Sequence, residues 1–312
     1  MVLMLAGVGT AAEGAVAFDG EHDMFRLSNK SIKELSGITV AVWVKPDRPG
    51  NILRGKPVGL NYDYNNAGFS LTGSDATNSF LAWNVERYGK WQHLAATWSN
   101  KQVGDGKMRL YINGVRLDEE REFDGGKKGF LATGSFEVGG MLRQFRGFKG
   151  RMDDLRMYNR ALSDSEILKV YIQEGNDEIN DGILLKWRMD GKNGSPAEIQ
   201  DSSGTNWQGE VVGNPVFTAE WPWQSAVVKQ DIDRTLAAVK INQVRCGKII
   251  ASLGEMIAKY PVETAEFQGQ YADLKRRYDE RKQQSYSWML DICNEALNLE
   301  ARMGFKLLLP KP

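Results

Sequence analysis

Residues 148–167 place a strand, a turn and the start of a helix in one short run, which restricts the folds open to this chain. The pattern over residues 152–158 is typical of a half-buried β-strand. Ser163 and Glu166 then form an S-x-x-E capping box, which is a signal that begins a short helix. The run therefore predicts a closing strand that leads directly into a helix.

Three further motifs precede this run. An FDG turn lies at residues 18–23, a W-x-H strand at 90–95 and an LY-x-NG hairpin at 109–115. Together with the closing run, they resemble the motifs of the laminin-G-like jelly rolls in the concanavalin A-like lectin superfamily. The resemblance covers about residues 14–161 and implies a β-sandwich. It implies much less about function, because this fold carries lectins, glycosidases, adhesins and virion parts.

The composition suits a turn-rich β-protein with a second domain. The chain has 312 residues, with 33 glycines and nine tryptophans. Its 40 basic and 40 acidic residues cancel, so the net charge does not indicate nucleic acid as a partner. We expect Trp43, Trp91 and Trp98 to lie in the core, and the strand around Trp43 to be buried on both faces.

The first 13 residues leave two alternatives open. An apolar run that ends in small residues resembles the second half of a secretory signal whose start lies upstream, although the basic region of such a signal is missing. The alternative is an ordinary apolar strand. The first alternative predicts a secreted or cell-surface protein, with bacterial-type secretion. No apolar segment is long enough to span a membrane.

A second group of β-signals follows the closing run. An apolar strand at residues 183–189 and a DSSG turn at 201–204 resemble the segment that normally opens this family's domain. Here the order is permuted, or a second repeat begins and stops; permutation is favoured. The strand is predicted to pair with residues 152–158 and to cover a bare sheet edge, or else to pair with a neighbouring molecule. The predicted β-domain is therefore 14–222.

The remaining residues, 223–312, predict an α-helical hairpin or coiled-coil docking region, which makes the whole chain an α+β multidomain protein. Pro261 ends the first helix, and the second is predicted over 262–303, roughly 60 Å long at ~1.5 Å per residue. The apolar stripe of this second helix changes register near residues 281–285. The first helix has a heptad stripe of apolar residues with one glutamine: Ile232, Leu236, Val239, Gln243, Cys246, Ile250, Leu253, Ile257 and Tyr260.

The two cysteines are too few for a disulfide framework. In a two-helix hairpin, Cys246 and Cys293 would lie roughly 25 Å apart, which is beyond disulfide reach. They are predicted to be buried as small apolar residues.

Asp153 and Asp154 lie within the predicted closing strand, where a charge needs a partner. Many proteins of the resembled family hold a structural Ca²⁺ where the FDG turn meets the closing strand, which implies Asp19 and Asp153 as ligands here. Carboxylate oxygens suit Ca²⁺. The alternative is that these acids only cap turns by accepting hydrogen bonds from backbone amides.

No catalytic residue is predicted. The family's glucanase signature, E-x-D-x-E, is absent from the sequence. Glu120 and Glu122 have the right alternation for a pair of glycosidase carboxylates, but they follow a hairpin and are expected at a solvated strand end. His93 is expected to be a hydrogen-bonded structural residue.

Two loops combine aromatic rings with amide or cationic groups, which are the side chains that lectin-type sites use. Sugar rings stack on the aromatic faces, and the polar groups bind the hydroxyls. The candidate glycan-binding residues are Tyr62, Tyr64, Asn65, Trp83, Arg87 and Tyr88.

The sequence therefore favours a non-catalytic, secreted or surface jelly-roll module that binds a glycan or another surface polymer in adhesion. Residues 225–305 are predicted to mediate self-association or docking to a partner protein. The first alternative is a structural subunit of a fibre, sheath or virion with no soluble ligand. A glycosidase ranks last.

Overall fold

A computed structural model gives the architecture of the chain. It describes residues 14–33, 35–55, 58–63, 66–72, 78–84, 88–123, 131–140, 147–173, 177–191, 196, 198–281 and 289–308. They form two compact units, one within Met1–Leu162 and Lys169–Lys229, the other within Ser163–Leu168 and Gln230–Pro312.

The first unit contains two antiparallel sheets, which confirms the predicted β-sandwich. Sheet A has the order β10 (Val115–Glu122), β9 (Lys107–Ile112), β8 (Gln92–Ser99), β3 (Gly37–Pro46), β12 (Lys149–Tyr158), β1 (Ala15–Asp19) and β16 (Val216–Thr218), and β13 (Ile183–Trp187) also pairs with β12. Sheet B has the order β14 (Glu198–Ile199), β15 (Gly209–Val212), β2 (Met24–Lys33), β11 (Leu131–Val138), β4 (Gly50–Arg54), β5 (Val58–Asp63), β6 (Asn66–Thr72) and β7 (Asn78–Asn84).

The core of this unit consists of apolar side chains that alternate along the strands. Strand β3 is buried on both faces, as its composition predicts. The predicted core tryptophans Trp43, Trp91 and Trp98 are all buried. The central cluster includes Val40, Val42, Val44, Phe25, Phe69, Phe136, Leu94, Met152, Leu155 and Trp187.

Strand β12 has two successive partners on one edge. Residues 149–152 pair with β1, and β13 pairs with residues 155–158, which confirms the predicted pairing of the late strand. The register of β12 against β3 shifts between Asp153 and Arg156, and Asp154 has a φ of 47°. This β-bulge therefore lies where one partner strand is replaced by the other.

The other late strands extend both sheets. β16 pairs with β1, and β15 pairs with β2 and β14. Residues 183–218 therefore complete the existing sandwich and do not begin a second one. The helix α1 (Asp164–Ile172) starts with the predicted capping box: the Ser163 amide donates to Glu166 Oε2 at 2.8 Å, and the Glu166 amide donates to Ser163 Oγ at 3.3 Å.

The second unit contains three long helical segments, and not the predicted two. They are α2 (Ala226–Lys259), α3 (Gln268–Arg281) and α4 (Met289–Leu308). Arg277 forms an ion pair with Glu295, and Arg302 donates to Gln270 at 3.2 Å. Residues 277 and 295 would be about 27 Å apart in one continuous helix. Helix α4 therefore runs antiparallel to α3, and the slip in the stripe at 281–285 marks the end of α3.

The helices pack closely because two glycines lie opposite tyrosines. A Cβ at Gly254 or at Gly247 would lie 2.5 Å from the hydroxyl oxygen of Tyr271 or Tyr278, respectively. The later glycine faces the earlier tyrosine, so α3 runs antiparallel to α2. The core of this unit consists of Cys246, Ile249, Ile250, Leu253, Phe267, Leu274, Ile292, Cys293, Ala296, Leu299 and Met303.

The predicted separation of the cysteines is wrong. Cys246 on α2 and Cys293 on α4 belong to the same buried apolar cluster. The return of α4 alongside α3 brings Cys293 back to the level of Cys246. Their predicted burial is confirmed.

Candidate functional site

A buried ion cluster lies at the bulge of β12. The guanidinium of Arg156 is fully buried and donates to both carboxylate oxygens of Asp154, at 2.9 Å and 2.7 Å. It also donates to Asp177 Oδ2 at 2.5 Å. The bulge turns Asp154 onto the face that carries Arg156, and the predicted need of Asp154 for a partner is met in this way.

The charges of this cluster are mutually stabilised. Burial acts to lower the pKa of Arg156, but the nearby charges of Asp154 and Asp177 raise it well above its ordinary value. Burial acts to raise the pKa of Asp177, but Arg156 holds it below its ordinary value. Alternation along the strand does not indicate this pair, because the register shift between Asp153 and Arg156 interrupts the alternation there.

Asp153 differs from its neighbour. It is fully buried, its Oδ1 accepts the Asp154 amide at 2.8 Å, and its Oδ2 has no hydrogen-bond partner among the described residues. Burial, and then the charges of Asp154 and Asp190, raise its pKa well above the ordinary value. Asp153 therefore favours the protonated, neutral form.

An aromatic cluster covers part of sheet A away from the central core. The Trp43 ring stacks on Tyr171 with centroids 5.3 Å apart, and Trp223 meets its edge at 5.2 Å. His93 lies 5.3 Å from Trp43, and neither of its ring nitrogens has a hydrogen-bond partner within the described ranges. Burial lowers the pKa of His93 to about 3, so its ring is neutral. The predicted hydrogen bond of His93 is not found, and burial leaves it no access to a substrate.

The predicted calcium ligands are not brought together. Asp19 pairs with Lys149 across the strands, and Asp153 lies four residues farther along β12, a distance of about 13 Å. Asp19 Oδ1 accepts the amides of Glu21 and His22 at 2.7 Å and 2.9 Å. The structure therefore shows the turn-capping role for Asp19. No cluster of three metal-binding side chains occurs among the described residues.

The predicted glycan residues divide into three groups. Tyr62 is buried on β5, and its ring lies 5.7 Å from that of Tyr88, which is 36% exposed. Trp83 on β7 pairs with Ala67, which pairs with Tyr62 across β6. The structure thus places Tyr62 and Trp83 in one row of sheet B. Outside the described residues lie Tyr64, Asn65 and Arg87.

Tyr62 cannot offer its ring face to a sugar, because it is 1% exposed. Its place in the alternating sequence Val58, Leu60, Tyr62 could have indicated this burial. Tyr62 instead supports the ring of Tyr88. Asn66 is exposed and is the first residue of β6, directly before Ala67, the partner of Tyr62. The sequence did not indicate it as a site residue.

The candidate glycosidase carboxylates form surface ion pairs. Glu120 accepts from Lys107 Nζ at 2.5 Å and from Arg109 Nε at 2.7 Å. Burial acts to raise the pKa of Glu120, but these cations hold it below its ordinary value. Glu122 is exposed and accepts from Lys101 at 3.1 Å. A glycosidase acid needs a raised pKa, so Glu120 is unsuited to that role.

The fold and these buried clusters define a lectin-like β-sandwich. Residues 19–168 match the family model of the concanavalin A-like lectin/glucanases superfamily, in its laminin G form. This match confirms the predicted resemblance of these residues to the laminin-G-like domains of that superfamily.

Three similar proteins illustrate this relationship. Human usherin is 30% identical over 176 residues, which cover 49% of this chain and 3% of usherin. Mouse pentraxin-related protein PTX3 is 31% identical over 98 residues, which cover 29% of this chain and 25% of PTX3. A solved structure from Bacteroides ovatus, for which carbohydrate binding is proposed, has a TM-score of 0.52 at 18% identity, over 68% of this chain and 61% of that protein.

The chain thus spans only a small part of the curated relatives that it matches. Among the described residues, no helix combines the length and the apolar character needed to cross a membrane.

Proposed function

We propose that the sandwich is a non-catalytic binding module that holds a carbohydrate at the end of sheet B around Tyr88. The observation that carries this proposal is the partly exposed ring of Tyr88, which rests on the buried ring of Tyr62 at 5.7 Å. A ring that is already held in place loses little side-chain entropy when a ligand stacks on it. Aromatic side chains with a few polar neighbours are typical of small-molecule sites.

Two exposed polar residues offer suitable chemistry for sugar hydroxyls. Asn66, the first residue of β6, offers an amide, and Lys90, two positions after Tyr88 in the sequence, offers an ammonium group. Trp83 lies two strands from Tyr62 in the same row, so it belongs to the same part of sheet B. The proposal of carbohydrate binding for the Bacteroides ovatus protein, which has a similar fold, supports this choice of ligand class.

A binding function agrees better than catalysis with the charges of the described residues. Asp153, whose pKa is raised well above its ordinary value, and Asp177, whose pKa is lowered, are both buried within the fold. On β10, Glu120 is paired with lysine and arginine, and Glu122 is paired with lysine.

A glycan array with the full chain tests this proposal. Tyr88→Ala should lose most of the signal for any glycan that the natural chain binds, because stacking area is removed, and Trp83→Ala tests the second predicted aromatic residue on sheet B. Tyr260→Ala, the same type of change in the second unit, is the matched control and should keep the signal. Binding that survives both sandwich substitutions, or a chain that binds no glycan, would contradict the proposal.

A second candidate function is that of an assembly subunit that associates through residues 225–305. It is favoured by two apolar side chains on α2, Val227 and Val244, which are 52% and 60% exposed. Light scattering should then show a mass that rises with concentration, and Val244→Asp should lower it. A monomer at all concentrations would contradict this candidate.

We also propose that the protein functions outside the cell or on its surface. The signal-like pattern in residues 1–13, which lie outside the described part of the chain, supports this location. Fractionation of the native cells tests it, and recovery of the protein only from the cytosol would contradict it.

A further inference from the structure

Two cysteines lie at one level of the core of the second unit, although they are 47 positions apart in the sequence. Cys246 is 0% exposed and Cys293 is 4% exposed, and both belong to the same apolar cluster. Gly247 on α2 lies opposite Tyr278, and Arg277 pairs with Glu295 on α4, so the registers of the helices place the two cysteines at the same height. A disulfide between them requires Cα atoms within about 7 Å of each other.

The two thiols have unequal acidity. The hydrogen bond from the Cys246 thiol lowers the pKa of Cys293 to about 7, burial opposes this shift, and the charge of Arg245 assists it. The pKa of Cys246 is raised, first by the same hydrogen bond and then by burial. Cys293 is therefore the nucleophile of the pair, because the thiolate is the reactive form.

We propose that Cys246 and Cys293 are a reversible oxidation site, at which a peroxide converts the two thiols into a disulfide that joins α2 to α4. The burial of both cysteines at one level of the same helical core carries this inference, and it does not depend on what the sandwich binds. The surrounding side chains, Ile249, Ile250, Ala296 and Leu299, are apolar, so they offer no competing nucleophile.

The reaction balances with one peroxide for two thiols. The thiolate of Cys293 attacks one oxygen of hydrogen peroxide, the O–O bond breaks, and a sulfenic acid forms while hydroxide leaves and takes up a proton as water. The sulfur of Cys246 then attacks the sulfur of Cys293. The S–O bond breaks, and the leaving hydroxide takes the proton of Cys246 as a second water. Both cysteines are oxidised, and the peroxide is reduced to two waters.

The disulfide would stabilise the second unit. It closes a loop that contains α3 and the start of α4, and such closure reduces the entropy of the unfolded chain. Oxidation should therefore hold α4 against α2 during heating. A thiol reductant should reverse the effect, since it restores both cysteines.

The full chain, treated with hydrogen peroxide and digested with trypsin without reduction, tests the proposal directly. The peptide 246–248 should be recovered linked to the peptide 283–302, with the loss of two hydrogens, and dithiothreitol should separate them. The rate of formation should rise with pH through about 7, where Cys293 loses its proton. The helical melting temperature, followed by circular dichroism, should rise by about 10 °C or more on oxidation.

Cys246→Ala and Cys293→Ala are the matched controls, because alanine keeps a small apolar side chain in the core. Neither should form the linked peptide, and Cys246→Ala should instead accumulate the sulfinic acid on Cys293. The natural chain needs no substitution to give its result, so a poorly folded variant does not remove the test. Recovery of only sulfinic or sulfonic acids from the folded natural chain, or only of cross-links between chains, would overturn the proposal. An unchanged melting temperature after complete disulfide formation would overturn the proposed locking of α4.

Discussion

Arg156→Met removes the cation from the buried ion cluster and keeps a long, flexible side chain in its place. Arg156 is fully buried, and its two carboxylate partners are nearly so: the side chains of Asp154 and Asp177 are 4% and 0% exposed. The substitution would remove the guanidinium that both carboxylates bind, and of the charges that act on Asp177 only that of Lys186 would still favour its ionised form. Most of the desolvation cost then has no offset, and like charges repel.

The expected loss of stability follows from this burial. Breaking a buried ion pair by removing one partner costs about 3–5 kcal/mol. A domain has a free energy of unfolding of about 5–15 kcal/mol, so a large fraction would be lost. At a urea dependence of about 2 kcal/mol per molar, the midpoint of unfolding should fall by about 2 M.

Tryptophan fluorescence during urea unfolding measures this loss of stability in the first unit, which contains Arg156. All the tryptophans except Trp288 lie in the first unit, so the signal reports mainly the sandwich. Arg160→Met is the matched control, because Arg160 pairs at 3.0 Å with Asp181, whose side chain is 88% exposed. An exposed pair of this kind contributes about 0–1 kcal/mol. If Arg156→Met lowered the midpoint no more than Arg160→Met, the argument from burial would be refuted.

Acid provides an independent check on the same cluster. The pKa of Asp177 is lowered in the folded state, so its stabilising contribution is present above the unfolded value of 3.8 and is lost as the pH falls through the folded value. In Arg156→Met this contribution is already missing. The difference in unfolding free energy between the natural chain and the variant should therefore shrink below about pH 4.

Three further predictions concern other parts of the chain. Asp153→Asn should remove a fall in stability that the natural chain shows as the pH rises above 3.8, because folded Asp153 keeps its proton at a pH where the unfolded chain has lost it; urea midpoints from pH 4 to 8 measure this. EDTA should leave the melting temperature unchanged, since Asp19 and Asp153 lie apart, and a drop that Ca²⁺ restores would support the calcium prediction instead. Gly254→Ala should stabilise the helices by about 0.5–1 kcal/mol in a Tyr271→Phe background and by less in the natural chain, and equal gains in circular-dichroism melts would show that the Tyr271 hydroxyl does not crowd this position.

Part of the candidate site was predictable and part was not. The aromatic residues were identified from the sequence, and the contact of Tyr62 with Tyr88 shows that two of them meet. Which of the two rings is exposed depends on how β5 faces the core. Alternation along β5 predicts the buried face, but a loop residue such as Tyr88 has no periodic pattern, so its exposure depends on tertiary contacts.

The cysteines show the opposite case. Their burial followed from the heptad stripe, because the period of apolar residues determines which helix face is buried. Their distance depended on where the second helix ends. The stripe slips at residues 281–285, and a slip is compatible both with a distorted continuous helix and with a chain reversal. The ion pair between Arg277 and Glu295 shows that the chain reverses direction between α3 and α4.

The sequence by itself determined the β-character of the first unit and the capping box of α1, because these depend on local periodicity and on hydrogen-bonding groups of neighbouring residues. It also predicted the pairing of β13 with β12, but left pairing with a neighbouring molecule open as an alternative. Only the tertiary structure decided that Asp154 turns towards Arg156, that Asp19 and Asp153 stay apart, and that the two cysteines lie in one helical core at the same level. The physical reason is that such contacts depend on strand register and helix direction. A shift of one residue in register, or one reversal of a helix, changes every long-range neighbour while leaving the local pattern the same.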